Sequence, residues 1–144
     1  MGPDVELRFT RNKDEIMGVL KTPGIWENIT GDNYIDPDEF NLKLDLKTVF
    51  VLGVVDEQVI GCGIAHKEEE WKVHLNVIPE YRKQYSEQFA KKCIQWVWEN
   101  IKPKKIIADI HPKYSNVVAF AERMKFKQIE NDNEKYSFEL VRPT

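Results

Sequence analysis

The segment between Glu70 and Ile110 constrains the fold most, because its three parts together predict a crossover within a sheet. Apolar and polar side chains alternate from Glu70 to Ile78 and Pro79 follows, which is typical of a half-buried strand. From Tyr81 to Asn100, apolar side chains recur at helical spacing over an arc broad enough to lie across a sheet. Lys105 to Ile110 is a short apolar run that predicts a second strand. Because a connection of this length joins parallel strands, we expect the two strands to be parallel neighbours.

The long helix in this segment has a defined apolar face. With Tyr85 as the origin of the arc, its members are Phe89, Ala90, Cys93, Ile94, Trp96, Val97 and Trp98. Trp96 and Trp98 are two positions apart and cannot both face the same way on a helix. We therefore expect one of them to be exposed. Exposed tryptophans are enriched at protein interfaces.

The flanking segments predict five further strands and two shorter helices. Strands are expected in VELRFT, in the two halves of TVFVLGVVDEQVIGCGIAH and in the two halves of FKQIENDNEKYSFELV; helices are expected in DEIMGVLKT and YSNVVAFAERMKF, with Val117 facing inward. The turns of the two hairpins fall at Asp56 to Gln58 and at Asn131 to Glu134. Gly61 and Gly63 lie within a strand, where glycine often marks a bulge or the close approach of another backbone or a ligand.

Composition limits the class of partner. With 144 residues, 42% of them hydrophobic, the chain is predicted to form one domain spanning residues 1–144. The net charge is -3 and no long basic run is present, so a nucleic-acid partner is not expected. No apolar stretch reaches ~18 residues, so we expect no membrane partner and a cytoplasmic location. Cys62 and Cys93 lie in apolar stretches without metal-ligand spacing, which predicts core residues in a reducing compartment and no metal site.

The connection between the first helix and the first hairpin is rich in large aromatic residues. Trp26, Tyr34 and Phe40 all lie in it. Two interpretations stay open: these side chains line a substrate pocket, or they pack the connection onto the sheet.

Two motifs carry a resemblance to the GNAT superfamily of acyl-CoA-dependent N-acetyltransferases. The stretch NVIPEYRK, followed by the amphipathic helix, is similar to the V-x-P-x-Y-R-G-x-G-x-G/A motif, and NVVAFAERMKFKQIE is similar to the helix and strand that contain E-K-x-G-F. Together with EIMGVLKTPGIWENITGDN, these motifs more narrowly resemble small GNAT-like proteins encoded by tailed phages. The resemblance implies an α+β fold (α/β three-layer), with a mixed, mostly antiparallel twisted sheet flanked by helices and a central parallel strand pair.

The resemblance also implies a cofactor and a site. It implies acetyl-CoA, and transfer of its acetyl group to an amine of a small molecule or a protein. The cofactor is expected where the two parallel strands part, with its diphosphate at the start of the long helix. The residues assigned to it on this basis are Leu75, Val77, Arg82, Lys83, Gln84, Tyr85, Glu87 and Asn116.

His74 is the candidate general base, because it lies on the polar face of the strand and an imidazole titrates near neutral pH. The alternative is a histidine satisfied within the sheet. We expect His66 to end a strand beside the acidic turn from Glu68 to Glu70, and His111 to be a solvated loop residue. The acidic turn either binds an amine substrate or is simply solvated.

The chain departs from the GNAT pattern at the diphosphate turn. The three glycine positions are occupied by Lys83, Tyr85 and Glu87, and Ala121 occupies the position of the usual tyrosine acid. Bulk at Tyr85 and a carboxylate at Glu87 would oppose the close approach of an anion, which predicts weak or absent CoA binding. A second hypothesis is therefore a non-catalytic phage protein that acts through its surface, in particle assembly or by binding a host protein.

Overall fold

A computed structural model describes residues 3–30, 35–42, 44–131 and 135–143. In these residues the elements are β1 (Glu6–Phe9), α1 (Lys13–Leu20), α2 (Trp26–Thr30), β2 (Thr48–Val55), β3 (Gln58–Lys67), β4 (Trp71–Val77), α3 (Arg82–Asn100), β5 (Lys105–Ile110), α4 (Ser115–Arg123), β6 (Lys127–Asn131) and β7 (Tyr136–Val141). Short 3-10 turns lie at Pro37–Glu39 and at Pro79–Tyr81. The predicted turn from Asn131 to Glu134 falls mostly outside the described residues, as does Tyr34.

The described strands form one sheet in the order β1-β2-β3-β4-β5-β7-β6. Every neighbouring pair is antiparallel except β4 and β5, which are parallel and joined by the α3 crossover. This confirms the predicted fold class, a mixed and mostly antiparallel sheet with one central parallel pair. The β4–β5 ladder contains only the pairs Trp71–Ile106 and Lys72–Ile107. Beyond these pairs the two strands part, and the gap between them positions the site.

Helices cover both faces of the sheet. On one face α1 and α2 pack in a core cluster of Ile16, Val19, Leu20, Ile25, Trp26, Phe50, Leu52 and Cys62. On the other face α3 and α4 contribute to two clusters, which include Ala90, Val97, Ile106, Ala121, Met124 and Phe138 in one and Val5, Ile60, Val77, Tyr85 and Phe89 in the other. Within the described residues, no helix combines the length and the apolar character needed to cross a membrane.

The β2–β3 hairpin is tighter than the sequence predicts. Gln58 pairs with Val55, so the turn contains only Asp56 and Glu57, and both have positive φ, at 48° and 67°. Two consecutive residues with positive φ match the twist of a two-residue hairpin turn. The predicted end of the turn at Gln58 is therefore wrong by one residue.

Gly61 lies beside a bulge and at a close approach, as expected for a glycine within a strand. The register changes near Gly53, so that β3 has one extra residue opposite β2. A Cβ added at Gly61 would overlap the carbonyl oxygen of Asn76 and lie 3.1 Å from the ring of Phe89. No side chain fits there without moving the backbone of β4.

Two predictions about exposure are wrong. Both Trp96 and Trp98 are partly buried, and the centroid of the Trp96 ring lies 4.5 Å from that of Phe9, so neither tryptophan is left exposed. Val117 is 38% exposed, although its position predicts an inward direction. It lies in the first turn of α4, at the border of the cavity described below.

Candidate active site where β4 and β5 part

A cavity of about 1460 Å³ lies where β4 and β5 part. Its walls come from the ends of both strands, from α3 and α4, and from the segment that contains α1 and α2. The cavity exists because only two residue pairs join β4 to β5 before the strands separate. Clefts of this kind, lined by apolar side chains with a few polar groups among them, are the usual form of a ligand site.

The structure brings six of the predicted site residues to this cavity. They are His74, Leu75, Val77, Arg82, Lys83 and Asn116. Gln84, Tyr85 and Glu87 do not border it. Tyr85 is buried in the core with Val77 and Phe89, and Glu87 is exposed, with its carboxylate 3.1 Å from the ammonium of Lys91.

The start of α3 explains this separation. The helix begins at Arg82, after the 3-10 turn, and successive residues are rotated by about 100° around its axis. Lys83 and Ser86 therefore face the cavity, whereas Tyr85 and Glu87 do not. The side chains of Tyr85 and Glu87 thus do not border the cavity, and their effect on a bound anion stays a prediction.

Arg82 has a structural role at the same place. Its Nε donates a hydrogen bond of 2.9 Å to the carbonyl of Val77, and its Nη2 donates one of 2.7 Å to the carbonyl of Gly24. These bonds join the end of β4 to the segment before α2. Lys83, in contrast, has no ion-pair partner among the described residues, so its ammonium is available to an anion in the cavity.

His74 is in direct contact with a second histidine. Its Nε2 lies 3.0 Å from Nε2 of His66. The strand register explains the pairing, since Ile64 is opposite His74 and Lys72 is opposite His66. The two histidines are therefore diagonal neighbours on one face of the β3–β4 pair. Nδ1 of His66 lies 3.4 Å from the carboxylate of Glu68.

The environment keeps His74 neutral near pH 7. Desolvation by the surrounding protein lowers the pKa of His74, although the residue keeps a solvent-exposed surface, and His66 and Lys72 lower the pKa further. Asp109 and Glu68 oppose this shift but do not cancel it. His74 borders the cavity, where a neutral imidazole can accept a proton from a ligand.

A polar network that the sequence does not predict continues along the cavity. The carboxylate of Asp109 on β5 lies 2.7 Å from the ammonium of Lys72 and accepts a hydrogen bond of 2.7 Å from the hydroxyl of Ser137. Burial acts to raise the pKa of Asp109, but the hydrogen bonds from Lys72 and Ser137 outweigh it and the pKa is lowered. A lone carboxylate in the apolar run KIIADI was the available sequence signal.

Several solved structures of other proteins are similar to this chain in fold. The sequence matches no protein-family model and no curated protein. The N-acetyltransferase PseH of Campylobacter jejuni is similar in structure, with a TM-score of 0.72 and 18% identity over 98% of this chain and 100% of that chain. The same enzyme in complex with acetyl coenzyme A gives a TM-score of 0.71 and 17% identity, over 96% and 99% of the two chains. The spermidine N-acetyltransferase of Vibrio cholerae, in complex with CoA and spermine, gives 0.77 and 11%, over 96% of each chain.

The chain has a GNAT fold. At these identities the likeness concerns the fold, so any activity must be argued from the site. One departure from the GNAT pattern is visible in α4, where Ala121 is buried in the core instead of presenting a phenol. Tyr114, just before α4, borders the cavity, with its ring 6.0 Å from that of His111. His111 is exposed, as expected, but it also borders the cavity.

Trp26 and Phe40 of the first connection pack it onto the sheet and also border the cavity, so their role in a substrate pocket stays a prediction. Trp26 is buried in the core and its Nε1 donates a hydrogen bond of 2.7 Å to the carbonyl of Ile35. Its ring meets that of Phe40 edge to face at 5.3 Å. Both residues also border the cavity, so one wall of the cavity is made by side chains that pack the connection onto the sheet.

Proposed function

We propose that this protein is an acetyl-CoA-dependent N-acetyltransferase. The observation that carries the proposal is the parting of β4 and β5 beside His74, because an imidazole that borders a cavity between two parallel strands supports a role as a general base. Solved structures with this fold include N-acetyltransferases in complex with acetyl coenzyme A or with CoA and spermine, which supports the same chemistry here.

The residues around the cavity fit an acyl-CoA. Leu75 and Val77 at the end of β4 would contact its apolar arm, and Lys83 at the start of α3 would bind its phosphates. Asn116, at the start of α4, would contact the same ligand. No carboxylate of the first turns of α3 borders the cavity in the described residues, so the local charge favours an anion. When bound, acetyl-CoA supplies an activated acetyl group as a thioester.

The protein's own contribution to the reaction centres on His74. The lowered pKa keeps its imidazole unprotonated near pH 7, and it then accepts the proton that an acceptor amine loses as it is acylated. We propose an amine on a small molecule or a protein as the acceptor. Trp26 and Phe40 would shield it from water.

Binding of the cofactor is tested first. Titration calorimetry and thermal denaturation with acetyl-CoA should show binding and a higher Tm, because a ligand at a hundredfold excess over Kd stabilises the folded state by ~2.7 kcal/mol. Lys83→Ala should weaken the affinity roughly tenfold through loss of a charge-assisted contact. Lys91→Ala is the matched control, since Lys91 lies on the outer face of α3 beside Glu87. Absence of any binding by the unaltered protein at millimolar acetyl-CoA would rule out the proposal.

Transfer is tested separately from binding. Release of free CoA thiol is measured with spermidine, a lysine-containing peptide and an amino sugar as acceptors. His74→Gln should lower the rate roughly a hundredfold or more while leaving acetyl-CoA affinity unchanged, because a general base typically contributes about 10²–10⁴-fold. Full activity of His74→Gln would show that His74 is not the general base and that it has only a structural role in the sheet.

A further inference from the structure

The contact between His66 and His74 requires a single proton between the rings. A nitrogen–nitrogen distance of 3.0 Å is that of an N–H···N hydrogen bond, so one Nε2 donates and the other accepts. The ring planes differ by only 8° and their centroids are 5.2 Å apart. Rings in contact face to face would be about 3.5–4.0 Å apart, so these rings are offset, with the two Nε2 atoms at their nearest edges. That arrangement brings the Nε2–H of the donor to the lone pair of the acceptor.

Glu68 decides the direction of this bond. Its carboxylate is 3.4 Å from Nδ1 of His66 and favours a proton on that nitrogen. A neutral His66 with its proton on Nδ1 has a bare Nε2, which can only accept. His74 must then be the donor through Nε2–H, and its Nδ1 is left bare. No described residue hydrogen-bonds to that Nδ1.

We propose that Glu68 and His66 hold His74 in the tautomer with its proton on Nε2, so that Nδ1 is the atom that takes the proton from the acceptor amine. That the proton comes from an acceptor amine rests on the proposed function, whereas the assignment of the tautomer does not. In the step, the amine nitrogen–hydrogen bond breaks, a bond from that hydrogen to Nδ1 forms, and His74 becomes an imidazolium. Its Nε2–H bond to His66 then becomes charge-assisted and stronger. His66 and Glu68 are positioning residues.

The other charged groups around the pair come from each neighbouring element. Lys72 on β4 lies 3.5 Å from Glu68 and 2.7 Å from Asp109 on β5, so it keeps both carboxylates in place. These contacts hold the half-exposed carboxylate of Glu68 beside His66.

Nuclear magnetic resonance tests the tautomers directly and without cofactor. Long-range proton–nitrogen spectra of ring-labelled protein at about pH 8, where neutral rings dominate, distinguish protonated from bare ring nitrogens. Single His→Gln variants assign the signals, since His66, His74 and His111 are the three histidines of the sequence. We expect a bare Nδ1 on His74 and a protonated Nδ1 on His66. A protonated Nδ1 on His74 would overturn the inference.

Variants distinguish the chain of contacts from Glu68 through His66 to His74, here called the relay, from a general effect of side-chain packing. Glu68→Ala should allow both tautomers of His66 to be populated. Glu69→Ala is the control and should leave the spectrum unchanged, because Glu69 borders a separate depression beside Lys102 and Lys104.

In the transfer assay His66→Leu should lower kcat on the order of tenfold with KM for acetyl-CoA unchanged, since the charge-assisted bond is lost. His66→Gln, whose side-chain oxygen accepts in place of Nε2, should recover most of the rate. Equal loss in both His66 variants would refute the relay.

The outcomes also separate this inference from the proposed function. The expected tautomers in a protein that binds no acetyl-CoA would support the relay and reject only the acetyltransferase proposal. Acetyl-CoA binding and transfer with a protonated Nδ1 on His74 would reject only the relay.

Discussion

The ammonium of Lys72 lies 2.7 Å from the carboxylate of Asp109 and joins β4 to β5 immediately beyond the last pair of their ladder. Lys72 pairs with Ile107 in that ladder, so the ion pair continues the link between the strands by side chains where the backbones part. The hydrogen bond to Asp109 raises the pKa of Lys72, although burial opposes the shift. The contact therefore closes one end of the gap that contains the cavity.

Removing the charge of Asp109 should destabilise the fold. The side chains of Lys72 and Asp109 are only 25% and 17% exposed, so Asp109→Asn leaves a poorly solvated ammonium whose remaining carboxylate is the more distant and exposed Glu68. We expect the free energy of unfolding to fall by about 2 kcal/mol in urea denaturation. Glu87→Gln, which breaks the exposed pair with Lys91, is the control and should cost less than ~0.5 kcal/mol. Equal effects of the two changes would contradict this assignment.

Stability should decrease at mildly acid pH because of His74. The pKa of His74 in the folded protein is below its unfolded value of ~6.5, so the unfolded state binds the proton more readily. The contribution is complete above the unfolded pKa and is lost as the pH falls through the folded pKa. Urea denaturation in a pH series should show this loss, and His74→Gln should remove it. His111→Gln is the control that should keep it.

Gly61→Ala should destabilise the fold, because a Cβ there overlaps the backbone carbonyl of Asn76. We expect a loss of about 2 kcal/mol or more, typical of a buried overlap that shifts backbone. Gly18→Ala is the matched change in α1, where a Cβ has no neighbour within 4 Å, and it should stabilise by ~0.5–1 kcal/mol. Thermal denaturation of both variants tests these two expectations. An unchanged Tm for Gly61→Ala would show that the backbone of β4 shifts at little cost in free energy.

Lys125→Gly should stabilise the end of α4. Lys125 has φ of 75°, and the amide of Phe126 reaches back to the carbonyl of Ala121, which closes the helix with a left-handed residue. Glycine avoids the strain of that conformation, for a gain of about 0.5–1 kcal/mol that greater freedom of the unfolded chain partly offsets. Lys104→Gly, where φ is not positive, should instead destabilise. A lower Tm for Lys125→Gly would be the contrary result.

Helical periodicity is a better guide to α3 than motif alignment. The periodicity places Tyr85 in line with Phe89 and Val97, and all three are buried. Alignment with the GNAT motif instead assigns Tyr85 to the cofactor. Burying a large aromatic side chain contributes a substantial free energy of folding, whereas the spacing of a motif contributes none by itself. The side chain of Tyr85 is therefore directed into the core.

The sequence by itself determined the order of the seven strands and of α1, α3 and α4, the parallel pair on either side of α3 and the polar face that carries His74, whereas α2 was not predicted. These follow from local periodicity and from the length of the crossover, which neighbouring residues along the chain specify. Only the tertiary structure decided that His66 is the partner of His74 and that Asp109 is the partner of Lys72. Both contacts depend on strand register and on where β4 and β5 part, and these are set by packing between segments distant in sequence.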